Sequence, residues 1–179
     1  MKALTIWQPW ASLIMMGVKP YEFRGWAAPK WIVGKRIAIH AAVKCMPSDE
    51  LDDIIYELSS DWGSDFGLSD PKTALDFMHR MRDERSIAPR QAVLGTALIG
   101  EPIRCTVLFP NDRDADPNKW GWPMLEIDVF DEPVPVKGQQ GFWNWDGKPM
   151  KVEKKEKPEK VEKVENPAPA NLDLFAALQ

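Results

Sequence analysis

The sequence predicts an α+β protein in which a small β-barrel is flanked by helices and followed by a disordered, charged tail. Three observations lead to this prediction. Short apolar segments of strand length alternate with two helical segments, and frequent breakers, 11 Gly and 16 Pro in 179 residues, separate them. The composition also changes abruptly near residue 150, where apolar residues become scarce.

The first elements are short. ALTI at residues 3–6 is a strand candidate, and Pro9 is well placed to begin a helix through ASLIMM that Gly17 ends. Residues 21–24 are expected to be extended. After Gly34, the segment KRIAIHAA alternates and carries β-branched residues, which predicts a strand.

Two helices and further strands follow. Residues 48–59 open with Ser48 as a predicted N-cap, and their apolar residues recur at helical spacing. A second helix is expected in PKTALDFMHRMRDER, starting at Pro71. AVLGTALIGEPIRCTVLF and MLEIDVFDEPVPV are predicted to be strands.

The composition is that of a globular protein, with 44% hydrophobic and 28% charged residues. Two Cys and two His give no spacing typical of a disulfide framework or a zinc site, so we expect reduced thiols, no metal and no cofactor. Polar residues and Trp interrupt the apolar N-terminus, and no run reaches the ~20 apolar residues of a membrane span. A cytoplasmic protein without membrane contact is therefore expected.

Charge is distributed unevenly along the chain, whose net charge is -4. Residues 1–48 contain seven Lys or Arg and a single acid, whereas residues 49–70 contain eight acids and no base. The N-terminal segment is therefore suited to face an anion. The acidic balance of the whole chain argues against broad duplex binding, which depends on many phosphate contacts.

The stretch GVKPYEFRGW contains the pattern G-x-K-x-x-E-x-R, with Lys19, Glu22 and Arg24. If residues 21–24 are extended, Glu22 and Arg24 project from one face, and Lys19 can join them. Two cations beside a carboxylate can hold a phosphate while the carboxylate accepts from a base amino group. The alternative is an ion-pair network that ties a loop to a strand.

Several segments together resemble the ASCH domain of the PUA-like superfamily: WQPWASLIMMG, GVKPYEFRGW, GKRIAIHAA, VLGTALIG and PVPVKGQQGFWNW. The resemblance spans roughly residues 2–147, and residues 49–90 read as a helical insertion in a domain of residues 1–149. It implies a PUA-like β-barrel with a helix beside a cleft. The family is associated with recognition of RNA or modified bases.

The resemblance also implies which residues meet the ligand. Lys19, Glu22 and Arg24 would line the cleft, and the turn with Trp7 and Gln8 would lie beside it. Gln8 can then read a base edge, and Trp7 and Trp26 can stack on a base. Further candidates are Lys137 and Gln139 for phosphate contact and Trp143 and Trp145 for stacking, whereas His40 is expected to be a satisfied histidine.

One branch of the family comprises amidohydrolases that remove an acyl group from acetylated cytidine. Its lysine matches Lys19, but the position of its threonine nucleophile is occupied here by Glu22. If the protein is an enzyme, Glu22 would act as a general base and Lys19 would hold an oxyanion. The missing threonine favours a binding protein over an amidohydrolase or nuclease. A phage-type adaptor or inhibitor is the third alternative.

The tail has two parts. Residues 150–170 carry six Lys and five Glu without an aromatic residue, which predicts a flexible linker. The C-terminal peptide, residues 171–179, contains NLDLF, which resembles the pentapeptide that binds the bacterial sliding clamp through Leu172, Asp173, Leu174 and Phe175. The alternative is a short amphipathic turn that docks on its own domain.

The sequence thus favours a protein that binds single-stranded RNA or DNA, or a modified nucleotide, and that a C-terminal peptide brings to a sliding clamp.

Overall fold

A mixed, curled sheet of seven strands organises the computed structural model, which describes residues 1–60, 66–112 and 115–149. The strands are β1 (Lys2–Gln8), β2 (Tyr21–Arg24), β3 (Arg36–Cys45), β4 (Ala92–Ile99), β5 (Ile103–Arg104), β6 (Trp120–Pro135) and β7 (Phe142–Asn144). Their order is β2-β6-β4-β3-β1-β7, and β5 pairs with β6. The predicted α+β class, with a small curved sheet flanked by helices, is confirmed as a half-barrel.

Pairing across the sheet brings distant segments of sequence together. β1 runs parallel to β3, and this pairing sets Thr5 opposite His40. β1 also runs antiparallel to β7. β2 runs antiparallel to β6, with Glu22 opposite Trp122. The two outermost strands of the order are β2 and β7, which both lie close to the candidate site described below.

Helices occupy the ends and one side of this sheet. They are α1 (Trp10–Met15), α2 (Ser48–Ser59), α3 (Pro71–Asp83) and α4 (Cys105–Leu108), with a short 3-10 turn at Arg85–Ile87. α1 ends where predicted, because Gly17 adopts a φ of 73° that only glycine tolerates easily. α3 begins at Pro71, and the Asp70 carboxylate caps it by accepting from the Thr73 N–H at 3.0 Å.

Two local predictions are wrong. Residues 105–108 form a helical turn rather than a continuation of the strand. Cys105 N–H still bonds to Lys119 O at 3.0 Å, in register with the pairing of β5 and β6, and the chain turns away after it. The Phe109 N–H then closes the turn on Cys105 O at 2.8 Å. Ser48 is not the N-cap of α2, because Pro47 takes that position and the Ser48 hydroxyl accepts from Arg85 instead.

The main apolar core lies between the concave face of the sheet and α1. Trp122, which is fully buried, is its largest side chain, and it packs with Leu4, Ile14, Ile39 and other aliphatic residues. A second cluster holds α2 and α3 against the end of α1, with Leu51, Met78 and Met81 at its centre. Burial of these side chains, at roughly 25 cal/mol per Å² of apolar surface, fixes the sheet and helices that position the site.

The predictions for the linker at 150–170 and for the C-terminal peptide at 171–179 lie outside the described residues. Across the three described ranges, no helix is both long enough and apolar enough to cross a lipid bilayer.

Candidate functional site

The motif in GVKPYEFRGW forms one connected ion-pair network. The carboxylate of Glu22 accepts from both cations, from Lys19 Nζ at 3.1 Å through Oε2 and from Arg24 Nη2 at 2.9 Å through Oε1. Glu22 and Arg24 are two positions apart in β2 and so lie on one face of the strand. Lys19 reaches them from the turn that follows Gly17, and it also donates to the Tyr21 carbonyl.

This network is largely removed from water. Lys19 is 4% exposed and Glu22 is 6% exposed. Aromatic rings surround the ammonium, with the Phe23 centroid at 5.0 Å and the Trp10 centroid at 5.8 Å. Burial lowers the pKa of Lys19 below its ordinary value, and the neighbouring Glu22 carboxylate opposes that effect only in part.

Glu22 and Arg24 form part of the wall of a cleft of about 840 Å³. Its lining comes from the middle of β1, the end of β3, the start of α1, β2 and the loop that precedes β7. The lining side chains that carry charge, an aromatic ring or a polar group are Thr5, Trp7, Trp10, Glu22, Arg24, His40, Lys44, Gln91, Lys137, Gln139 and Gln140. The size suits a nucleotide or a ligand of similar volume.

The cleft carries more positive than negative charge. Arg24, Lys44 and Lys137 line it, and Glu22 is the single lining carboxylate among the described residues. Because Glu22 is already paired with two cations, the remaining field is positive. Lys44 and Lys137 are exposed at the surface of the cleft, where a phosphate group can approach them from solvent.

Trp7 and Trp10 supply flat apolar surface to the same cleft. Trp7 lies near the end of β1, where the pairing with β3 is irregular, and it is 46% exposed, so its indole is open to a ligand. Such an exposed indole can stack on a nucleobase.

Three of the predicted ligand residues do not line the cleft: Lys19, which pairs with Glu22, and also Gln8 and Trp26. Gln8 is fully buried, and its amide is occupied: Nε2 donates to Pro89 O at 2.7 Å, and Oε1 accepts from Ser12 N–H at 3.1 Å. Gln8 therefore ties α1 to the loop before β4. Trp26 is 56% exposed, but it lies beyond the lining, with its ring 5.8 Å from the Arg24 guanidinium.

A loop of residues 136–141 forms one wall of the cleft, and two residues of the sheet hold it. The Thr5 hydroxyl donates to Gln139 O at 2.5 Å, and His40 Nε2 lies 3.1 Å from Val136 O. A carbonyl oxygen only accepts, so Nε2 carries a proton. Gly138 lies against the His40 ring, where a Cβ would come within 2.2 Å of Cε1.

His40 is therefore a satisfied histidine, as expected, although it also lines the cleft. Burial lowers its pKa, and the bond to Val136 O opposes that effect in part. Trp143 and Trp145 are buried in a small cluster on the same sheet face as Thr5 and His40, and Trp143 Nε1 donates to the Thr5 hydroxyl at 3.0 Å. They support the loop and do not line the cleft.

The sequence analysis missed one charged lining residue, Lys44, and the polar lining residues Gln91 and Gln140. The signal for Lys44 was present in the alternation of β3, because His40, Ala42 and Lys44 lie two residues apart and all line the cleft. Within the described ranges, His, Cys, Asp and Glu side chains form no group of three that could hold a metal ion.

No protein-family model matches the chain, and no curated protein matches it. Among solved structures, the ASCH protein from Zymomonas mobilis is similar at 12% identity, with a TM-score of 0.45 over 81% of this chain and 87% of that chain. A mutant of the same protein gives 12% identity and a TM-score of 0.44 over 81% and 90%. At this identity, residue roles do not carry over from those proteins to this chain.

Proposed function

We propose that this chain is an ASCH-type, PUA-like protein that binds single-stranded nucleic acid or a modified nucleotide in its cleft. One observation carries the proposal: exposed lysines, a surface indole and the ion pair of buried Glu22 with partly exposed Arg24 line the same cavity of about 840 Å³. The indole can stack on any base, and the cations can bind the phosphate. The family resemblance of GVKPYEFRGW gives independent support.

Each lining group has a role in this proposal. Trp7 stacks on the base, and Lys44 and Lys137 bind phosphate from either side of the cleft mouth. Glu22 is held rigid by two cations, and each of its oxygens retains a lone pair that can accept from an exocyclic amino group of the base. Arg24 links the base and phosphate positions, since it bonds to Glu22 while it lines the cleft.

The test is a fluorescence anisotropy titration with short single-stranded RNA and DNA, a duplex, and single nucleotides. Lys44→Gln and Lys137→Gln should each weaken strand binding. Each should also reduce the slope of log affinity against log salt concentration by about one, the contribution of one released counterion. Arg82→Gln is the matched control, because it removes one positive charge from α3 away from the cleft lining. Wild-type protein that binds none of these probes, or equal losses in the control, would overturn the proposal.

A hydrolase that acts on modified pyrimidine nucleosides or RNA is the second candidate. The observation that favours it is Glu22, a buried carboxylate that lines the cleft beside a lysine of lowered pKa. Glu22 would be the general base for water. Lys19 donates to Glu22 and to the Tyr21 carbonyl, so its part would be to position that carboxylate. Mass spectrometry of acylated nucleosides and short strands tests this. Product that Glu22→Gln abolishes under conditions where circular dichroism shows the variant folded supports a hydrolase, whereas intact substrate with wild-type protein excludes it for these compounds.

We also propose that the C-terminal peptide recruits the protein to a bacterial sliding clamp. The support is the match of Leu172, Asp173, Leu174 and Phe175 to the clamp-binding pentapeptide, at the end of a charged linker. Replacing Leu174 and Phe175 with Ala should abolish co-elution with a purified clamp and leave nucleotide binding unchanged. Gln179→Ala, outside the pentapeptide, is the control, and co-elution that survives the double substitution would contradict the proposal.

A further inference from the structure

Two exposed tryptophans lie on the segment that joins β2 to β3. Trp26 is 56% exposed and Trp31 is 46% exposed. Exposed apolar side chains that stand singly are normal on protein surfaces, whereas a contiguous group of them marks an interaction site. Trp26 follows β2 and Trp31 touches β7, so the segment reaches from one outermost strand of the sheet to the other.

The two exposed rings are joined through two rings beneath them. The Trp26 ring meets Trp122 edge-on at 6.2 Å, Trp122 stacks parallel to Phe142 at 5.9 Å, and Phe142 meets Trp31 edge-on at 5.2 Å. We call Trp26, Trp122, Phe142 and Trp31 the aromatic strip. Trp122 is fully buried, and its Nε1 donates to the Trp26 carbonyl at 2.9 Å. The exposed indoles are therefore held in place rather than free to turn.

Each exposed indole has a cation over its ring. The Arg24 guanidinium carbon lies 5.8 Å from the Trp26 centroid, and Lys2 Nζ lies 5.6 Å from the Trp31 centroid. A purely apolar surface that awaits a protein partner does not need a cation at each ring. An indole beside a cation offers a stacking surface for a base together with a charge for its phosphate.

The aromatic strip adjoins the cleft at two points. Arg24 lines the cleft and also lies over Trp26, and Gly141 lines the cleft directly before Phe142. A strand that leaves the cleft beside Arg24 therefore meets Trp26 first. The path from Trp26 to Trp31 passes through three ring contacts. A few nucleotides can span that path at about 3.4 Å for each stacked step.

We propose that the aromatic strip is a stacking track for single-stranded nucleic acid that extends the cleft. The inference rests on the proposed function: one nucleotide occupies the cleft, and the neighbouring bases stack on Trp26 and then on Trp31. Their phosphates lie near Arg24 and Lys2. The ligand is accordingly an oligonucleotide, and a free nucleotide fills only part of the site.

The test compares ligands of different length. Affinities of wild-type protein, Trp26→Ala and Trp31→Ala are measured for a single pyrimidine nucleoside monophosphate and for pyrimidine strands of two to about eight nucleotides. Wild-type affinity should rise with length. Each alanine variant should bind the longest strand about 5- to 150-fold more weakly, the range for loss of one stacked base, and should bind the monophosphate as wild type does.

Both variants are expected to fold. Trp26→Ala leaves the hydrogen bond of Trp122 intact, because Trp122 donates to the main chain of residue 26 and not to its side chain. Trp31→Ala removes a side chain that is 46% exposed and whose ring contact is with Phe142. Circular dichroism checks this directly. Tyr56→Ala is the matched control, since Tyr56 is a 76% exposed aromatic residue on α2. Trp26→Phe and Trp31→Phe should recover part of the lost affinity, as expected for stacking.

The outcomes separate the two proposals. Wild-type protein that binds neither the monophosphate nor any strand overturns the proposed function and the inference together. Strand binding that both variants retain overturns the inference alone, and the same holds if the variants lose the monophosphate as strongly as the strand. Equal losses with Tyr56→Ala would also overturn it.

Discussion

Glu22→Gln should destabilise the protein far more than its small chemical change suggests. The substitution keeps the shape of the side chain but removes the anion that pairs with Lys19 at 3.1 Å and Arg24 at 2.9 Å. The side chains of Lys19 and Glu22 are 5% and 9% exposed, so the ammonium is left charged in a buried site. Loss of one partner of a buried pair costs about 3–5 kcal/mol, a large part of a typical unfolding free energy of about 5–15 kcal/mol.

The dependence of this loss on pH follows from Lys19. Burial holds the pKa of folded Lys19 below its ordinary 10.5, and Glu22 opposes that shift. Between the folded pKa and 10.5, the unfolded chain binds more protons than the native one, so stability rises with pH. Without Glu22 the pKa of folded Lys19 falls further, so the pH range over which stability rises begins at a lower pH. The stability deficit of Glu22→Gln should therefore shrink as the pH is raised from neutral toward 10.5.

Urea unfolding at neutral and alkaline pH measures both effects. Glu126→Gln is the matched control, because it removes the same charge from a pair with Arg36 at 2.9 Å whose carboxylate side chain is 67% exposed. Exposed pairs contribute about 0–1 kcal/mol. The reasoning is refuted if the two variants lose equal stability at neutral pH, or if the deficit of Glu22→Gln grows as the pH rises.

Two further predictions concern the wall of the cleft. Gly138→Ala should displace the 136–141 loop and lower the melting temperature, because the added Cβ would lie 2.2 Å from the His40 ring. Gly25→Ala is the control and should leave the melting temperature unchanged, because a Cβ there meets nothing within 4 Å. Equal melting temperatures for the two variants would contradict this prediction. Burial keeps the pKa of folded His40 below 6.5. Between the folded pKa and 6.5, the unfolded chain therefore binds more protons than the native protein, and stability should fall as the pH drops through this range. His40→Gln should reduce that slope in urea unfolding from neutral to acid pH, and an unchanged slope would show that other groups cause it.

The sequence determined the elements that rest on local periodicity. Strand alternation and helical spacing predicted most strands, α1, α2 and α3, because side chains within a few residues decide these patterns. The same alternation predicted that Glu22 and Arg24 lie on one face of β2, where the structure pairs them at 2.9 Å. The local pattern failed at α4, where the Phe109 N–H bonds back to Cys105 O and closes a helical turn.

The tertiary structure alone decided which of these residues share a cleft. Thr5 bonds to Gln139 across 134 positions and His40 to Val136 across 96, and such pairings leave no periodic signal in the sequence. The same holds for Gln8, whose polarity suggested a contact with ligand but whose amide is satisfied by Pro89 across 81 positions. Local patterns set the direction of a side chain relative to its own strand. Only the packing of distant strands sets what that side chain meets.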